Sequence, residues 1–145
     1  MDDLRDAYKA TTLRILGKFQ LLEFALKVYI SIAYSAISIR VSDVLHFDYS
    51  EKDVESFPLE RLTNVFSKLN SNKGLILRIN KLREERNHIA HRSLIVTMGS
   101  MYDRGAVEDK YHGYFWLEDE LDECLKKVIE EAHTLTKRMA SQPEN

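Results

Sequence analysis

The stretch LLEFALKVYISIAYSAI, residues 21–37, decides the fold class because it is apolar on nearly every side of a helix. It forms the second half of a helix predicted over residues 4–40, which Gly17 could bend. A helix that is apolar all round must be buried all round. A domain of 145 residues can cover only part of it, so the remaining surface predicts a homodimer interface. The alternative is that later segments of the same chain wrap the helix completely.

Three further helices show apolar residues at spacings of three and four, and the predicted ranges are 58–69, 75–94 and 117–140. The turn sequence NSNKG, residues 70–74, separates the first two of these helices. The chain has no alternation of strands and helices, and no Gly-rich phosphate loop precedes a helix. We therefore predict an all-α fold, an antiparallel four-helix bundle in a single domain over residues 1–140, with a frayed tail over residues 141–145.

Two connections between these helices are long. Residues 42–57 form a polar connection after the first helix. Residues 97–115 contain three glycines and mixed charge, which predicts a long loop or a weak hairpin between the third and fourth helices. Tyrosines and basic residues within 102–114 could hold single-stranded RNA. Acidic residues in the same segment dilute its charge, so an ordinary surface loop is the alternative.

The overall composition is that of an ordinary globular protein, with a net charge of −2 that gives no general argument for nucleic acid binding. Its single cysteine, Cys124, excludes an intramolecular disulfide and lies in the apolar stripe of the last helix, which predicts a core residue rather than a nucleophile. The polar N-terminus is unlike a secretory signal, and the longest uncharged run, residues 28–39, is shorter than the roughly 20 residues that span a bilayer. These features favour a cytoplasmic protein without a membrane partner.

Positive charge is concentrated on the third predicted helix. Residues 73–92 contain six basic and two acidic side chains, a net of +4 in a chain whose total is negative. The same helix contains the sequence RNHIAH, which starts at Arg86 and ends at His91. Arg86 and His91 are five residues apart, roughly 140° round a helix, so they converge poorly on one small group. Two copies of the helix could instead supply an arginine and a histidine to a shared cleft.

The residue types of RNHIAH suit the cleavage of a phosphodiester. A histidine titrates near neutral pH and can accept or donate a proton. An arginine holds a phosphate by paired hydrogen bonds and stabilises the charge of a phosphorane-like transition state. Asn87 can orient either group. In RNA the nucleophile is the substrate's own 2′-OH, so neither a metal nor a cofactor is required, and no carboxylate cluster for a two-metal site is evident.

The sequence from Arg86 to His91 resembles the R-x4-6-H signature of the HEPN superfamily, in which a polar residue, often Asn, follows the arginine. The resemblance implies an α-helical bundle that dimerises and forms one composite cleft from two motifs. Many members are metal-independent endoribonucleases that act as toxins of toxin–antitoxin systems or in antiphage defence. It also implies that Arg86 and His91 are the catalytic pair, that Asn87 supports them, and that the products are a 2′,3′-cyclic phosphate and a 5′-hydroxyl.

Other residues of the third helix are expected to bind RNA, namely Lys81, Arg83, His88 and Arg92. His88 could instead pair with Glu84, four residues before it. Glu23 interrupts the apolar half of the first helix, and a buried carboxylate there would need a partner, for which Arg86 is a candidate. The alternative is that Glu23 simply faces solvent.

One position departs from the pattern of a HEPN subgroup. Toxins paired with nucleotidyltransferase antitoxins often have a tyrosine two residues after the histidine, where this chain has Ser93. Regulation by tyrosine AMPylation is therefore not expected, and a different protein antitoxin or regulator is the partner left open. The alternative functions are a non-catalytic helical module that dimerises and binds a partner protein or RNA, and a metal-dependent bundle enzyme.

Overall fold

The computed structural model describes residues 3–89 and 104–141, and within the second range the side chains from Gly113 onward. Helices account for 86% of the described residues, which contain no strand, so the all-α prediction is confirmed. The helices are α1 (Asp3–Val41), α2 (Glu51–Val54), α3 (Leu59–Leu69), α4 (Lys73–His88) and α5 (Arg104–Ser141). All five contribute side chains to one hydrophobic core.

Helix α1 has one buried face and one exposed face. The buried face is a continuous row that includes Tyr8, Ile15, Phe19, Leu22 and Ile30, all fully inaccessible to solvent. On the opposite face five large apolar side chains remain exposed, namely Leu13, Leu21, Phe24, Val28 and Ile39. The rest of the described chain therefore does not wrap α1 completely.

Helix α1 also meets a simple criterion for crossing a membrane. By length and composition alone, it is long and apolar enough to cross a membrane. In the 18-residue window that meets this criterion, 33% is buried against the rest of the chain. Core helices of globular proteins and signal sequences meet the same criterion, so this feature alone does not distinguish a membrane-spanning helix from them.

Helices α1 and α5 run parallel. Three contacts join them, in chain order Tyr8–Tyr114, Arg14–Glu118 and Lys18–Asp122. The residue numbers rise together on both helices, whereas they would run in opposite directions in an antiparallel pair. The predicted antiparallel packing is therefore wrong for this pair. The contacts Asn72–Glu131 and Arg78–Glu120 make α5 antiparallel to α4. Helix α1 is also antiparallel to α4, as Glu23 contacts Arg86 and Tyr29 contacts Asn70, so α1 and α5 run in the same direction.

Helices α3 and α4 form a hairpin beside the long pair. Pro58 precedes α3 in an extended conformation, so α3 begins at Leu59, one residue later than predicted. The turn predicted at NSNKG is present: Asn70 ends α3, and the Asn72 side chain accepts a hydrogen bond from the backbone N–H of Leu75 to begin α4. The preceding connection is not entirely irregular, since it contains the single turn α2, where Asp53 accepts a hydrogen bond from the backbone of Ser50.

The prediction of a loop over residues 97–115 is wrong from Arg104 onward. Helix α5 begins at Arg104, although Gly113 in its interior costs about 1 kcal/mol relative to alanine. Burial of Tyr114, which stacks on Tyr8 of α1 with ring centroids 5.3 Å apart, offsets that cost. Residues 97–103 lie outside the described part of the chain, as does most of the predicted tail; Ser141 belongs to α5.

Candidate functional site

The inner face of α4 determines where Arg86 lies. The buried residues of this face are Leu75, Ile79, Leu82 and Ile89, at the three- and four-residue spacings of a helix. Arg86 is four residues after Leu82 and three before Ile89, so it belongs to the same face. The packing of α4 against the core therefore directs the Arg86 side chain towards α1 rather than into solvent.

Arg86 forms an ion pair with Glu23 of α1. The Nε of Arg86 lies 3.3 Å from Oε1 of Glu23, and the exposed fractions of the two side chains are 36% and 17%. The same carboxylate oxygen is buried and makes no hydrogen bond of good geometry among the described residues. The two groups are thus held by charge rather than by an aligned hydrogen bond. The hypothesis that Glu23 pairs with Arg86 is confirmed, and the alternative that it faces solvent is wrong.

The ion pair defines what Arg86 can still bind. A guanidinium has five N–H donors, and Nε lies 3.3 Å from the Glu23 carboxylate. The donors on the two Nη atoms are chemically suited to a phosphate, which arginine binds through paired, parallel hydrogen bonds. A carboxylate that holds one edge of the guanidinium also limits its rotation. Arg86 is therefore an oriented cation at the junction of α1 and α4.

Four other predicted site residues of α4 lie within the described ranges, namely Lys81, Arg83, Asn87 and His88. Asn87 is exposed, and His88, the last residue of α4, is partly exposed. Lys81 is exposed, and it lies roughly 200° round the helix from Arg83, so these two basic side chains do not share a face. His91, Arg92 and Ser93 lie outside the described residues, and the expected pairing of Asn87 with His91 on one face stays a prediction.

Arg83 points to α3 instead. Its Nη1 lies 3.3 Å from Oε1 of Glu60, in the first turn of α3. No motif in the sequence singles out Glu60, because the α3–α4 hairpin that brings it to Arg83 depends on packing between helices. The nearest available signal was the NSNKG turn, which predicts an antiparallel hairpin but not which pairs of residues face each other.

A second charged cluster joins α4 to α5 away from the motif. Arg78 donates a hydrogen bond to the Glu120 carboxylate, which holds the pKa of Glu120 below its usual range. The thiol of Cys124 lies fully buried beside the same carboxylate, and burial raises its pKa to about 12. Cys124 is therefore a core residue, as the sequence predicts, and its thiol stays protonated at neutral pH.

Neither metal ligands nor known relatives identify the site further. Within residues 3–89 and 104–141, no three His, Cys, Asp or Glu side chains form a group that could hold a metal ion. Comparison of the chain with protein-family models, with curated proteins and with solved structures finds no match.

Proposed function

We propose that the protein is a metal-independent endoribonuclease of the HEPN type, with α1, α3, α4 and α5 as a HEPN-like four-helix bundle. The observation that carries the proposal is the pair of Glu23 and Arg86, which orients the arginine of the RNHIAH sequence. An arginine that only solvates a helix surface has no need of a largely buried carboxylate. An arginine that must meet a phosphate in one orientation benefits from such a partner.

The proposed reaction uses the 2′-OH of the RNA as nucleophile. His91 accepts the 2′-OH proton while the oxygen attacks the adjacent phosphorus, and the bond from phosphorus to the 5′-oxygen breaks. A histidine then protonates the departing 5′-oxygen, which leaves a 2′,3′-cyclic phosphate and a 5′-hydroxyl. Arg86 stabilises the added negative charge on the phosphorane-like transition state, and Asn87 orients the reacting groups.

The proposed active form is a homodimer that pairs through the exposed face of α1. This face carries Leu21 and Phe24, which are 54% and 65% exposed. Burying these side chains against a second copy would remove apolar surface from water. The proposed dimer would also bring two RNHIAH sequences to one cleft. The roughly 140° between Arg86 and His91 on one helix then ceases to matter, because each can act with its counterpart across the interface.

The proposed biological role is that of a toxin or antiphage effector in the cytoplasm, restrained by a protein antitoxin or another regulator. This role rests on the resemblance of RNHIAH to the HEPN signature. Ser93 in place of a tyrosine argues for restraint by contact with the regulator rather than by tyrosine modification.

A second candidate is a non-catalytic helical module that dimerises and binds a partner protein or RNA. The exposed apolar face of α1 favours it, because that surface suits association whether or not a reaction follows. The two candidates differ in one respect: the module binds without cleaving, and its properties do not depend on His91.

The deciding experiment incubates the purified protein with single-stranded RNA in EDTA and identifies the products by mass spectrometry. The proposal predicts fragments that end in 2′,3′-cyclic phosphate, and a loss of at least about 100-fold in rate for both Arg86→Ala and His91→Ala. Glu85→Ala, at an exposed neighbouring position, serves as the control. Cleavage that survives both substitutions, or that EDTA abolishes, contradicts the proposal.

A further inference from the structure

A polar groove lies between α3 and α4, one helical turn away from Arg86. It encloses about 540 Å³, a volume in the range of small-molecule sites. Its basic side chains are Arg61 of α3 and Arg83 of α4, and amides of Asn64 and Asn80 line it from both helices. Most of these groups are hydrogen-bond donors, which suits an anionic ligand.

The Arg83 side chain lines this groove, and its Nε is buried without a hydrogen-bond partner among the described residues. Arg83 forms an ion pair with Glu60 at 3.3 Å, and the Glu60 side chain is 76% exposed. Ion pairs this open to solvent contribute at most about 1 kcal/mol, so an incoming phosphate can displace the carboxylate. A phosphate that replaces Glu60 would bind the Nη groups of Arg83, because the buried Nε has no surface exposed to the groove.

The first turn of α3 adds further donors at one end of the groove. The first backbone hydrogen bond of α3 runs from the N–H of Leu62 to the carbonyl of Pro58, so the N–H groups before Leu62 have no acceptor within the helix. The side chain of the preceding Pro58 supplies no cap. Arg61, in the same turn, lies with its guanidinium 3.9 Å from the ring centroid of Phe57, which fixes its position beside the groove.

The groove is aligned with the RNHIAH sequence. Asn80, Arg83 and Asn87 follow at spacings of three and four, so they form one row along α4. A linear anion that occupies the groove and follows this row reaches Asn87, the residue after Arg86. An extended polymer with a phosphate at every unit fits this arrangement better than an isolated phosphate group does.

We propose that the groove between α3 and α4 binds the phosphodiester backbone of single-stranded RNA beside the bond that is cleaved, through Arg83 and Arg61. This assignment rests on the proposed ribonuclease function and defines where its substrate lies. In the absence of RNA, the Glu60 carboxylate pairs with Arg83, and bound RNA displaces this carboxylate. The inference adds Arg61 and Glu60 to the residues that determine affinity for RNA.

The test measures binding of a fluorescent single-stranded 2′-O-methyl RNA to the full chain by anisotropy in EDTA. This RNA lacks the attacking hydroxyl, so binding is measured without cleavage. Arg83→Gln and Arg61→Gln should each weaken binding by about tenfold and lower the slope of log affinity against log salt by about 0.7. Glu60→Gln should strengthen binding by about threefold, because it removes a competing carboxylate.

Arg138→Gln, at an exposed position near the end of α5, is the matched control and should bind as the wild type does. Circular dichroism melts establish that each variant is folded. Unchanged binding by folded Arg83→Gln and Arg61→Gln overturns the assignment, as does binding of a phosphopeptide in preference to the RNA. Groove-dependent binding by a protein that cannot cleave unmodified RNA supports the groove and contradicts only the ribonuclease function.

Discussion

The carboxylate of Glu23 and the guanidinium of Arg86 join α1 to α4 across 3.3 Å, where the RNHIAH sequence meets the longest helix. Glu23 is a charged residue in the most apolar part of the chain. Its position there costs desolvation energy that the cation of Arg86 offsets. Because the pair is made at Nε, Glu23 acts on a bound phosphate only through the orientation of Arg86.

Replacing Glu23 by glutamine should therefore slow cleavage without unfolding the protein. We expect Glu23→Gln to lower kcat about tenfold with a smaller change in KM, since a less constrained Arg86 loses transition-state stabilisation first. The melting temperature and the values of kcat and KM are measured together. Glu85→Gln, at an exposed position on α4, is the control. A fall in melting temperature with unchanged kcat would mean that Glu23 is structural only.

The pairing of Glu23 with Arg86 could be anticipated from the sequence because a lone carboxylate in an apolar helix needs a cation. The course of α1 and the core position of Cys124 were also predictable, since both follow from helical periodicity. These are local properties of a segment or general requirements for burial, and they do not depend on how the helices are arranged.

The arrangement of helices was not predictable in the same way. The parallel contact between α1 and α5 follows from both helices packing antiparallel to α4, which periodicity does not encode. The early start of α5 depends on the contact of Tyr114 with Tyr8, which is 106 residues away in the chain. This contact overrides the local preference of glycine for a loop. The pairing of Arg83 with Glu60 likewise arises from the packing of a hairpin.

The exposed face of α1 should hold two copies of the chain together. We expect Phe24→Asp to convert a dimer to a monomer, because a carboxylate buried at an apolar interface without a partner costs several kcal/mol. Light scattering measures the mass, and cleavage should fall with the loss of the dimer. Leu77→Asp is the control, since Leu77 is a similarly exposed apolar side chain on α4. A wild-type protein that is monomeric at all accessible concentrations would contradict both the interface and the composite site.

Tyr114 should anchor the first part of α5. Its hydroxyl lies 3.2 Å from that of Tyr8, and the two buried rings stack. Tyr114→Phe should lower the free energy of unfolding by about 1 kcal/mol through loss of the hydrogen bond. Tyr114→Ala should lower it by about 3–5 kcal/mol through loss of the packed ring. Urea denaturation measures both, with Trp116→Phe at an exposed neighbouring position as the control. Equal stability of Tyr114→Ala and the wild type would mean that this turn of α5 is not docked on α1.

The charged contact between α1 and α5 should make stability depend on pH at acid values. The hydrogen bond from Arg14, together with that from Lys18, lowers the pKa of Glu118 from 4.5 to about 2. Below pH 4.5 the unfolded chain takes up a proton at Glu118 that the folded chain does not, so this contribution is present above that pH and is lost as the pH falls towards 2. Because Arg14 is 53% exposed, solvent screening reduces the contribution to about 1–2 kcal/mol.

Glu118→Gln should accordingly be less stable than the wild type at pH 7 by about 1–2 kcal/mol, and the difference should shrink towards zero as the pH approaches 2. Urea denaturation at a series of pH values measures the two curves. Glu130→Gln, which replaces an exposed carboxylate on the same helix, should follow the wild-type curve. Parallel curves for Glu118→Gln and the wild type across the acid range would show that Arg14 and Lys18 do not hold the Glu118 carboxylate in solution, and the parallel contact of α1 and α5 would then rest on apolar packing alone.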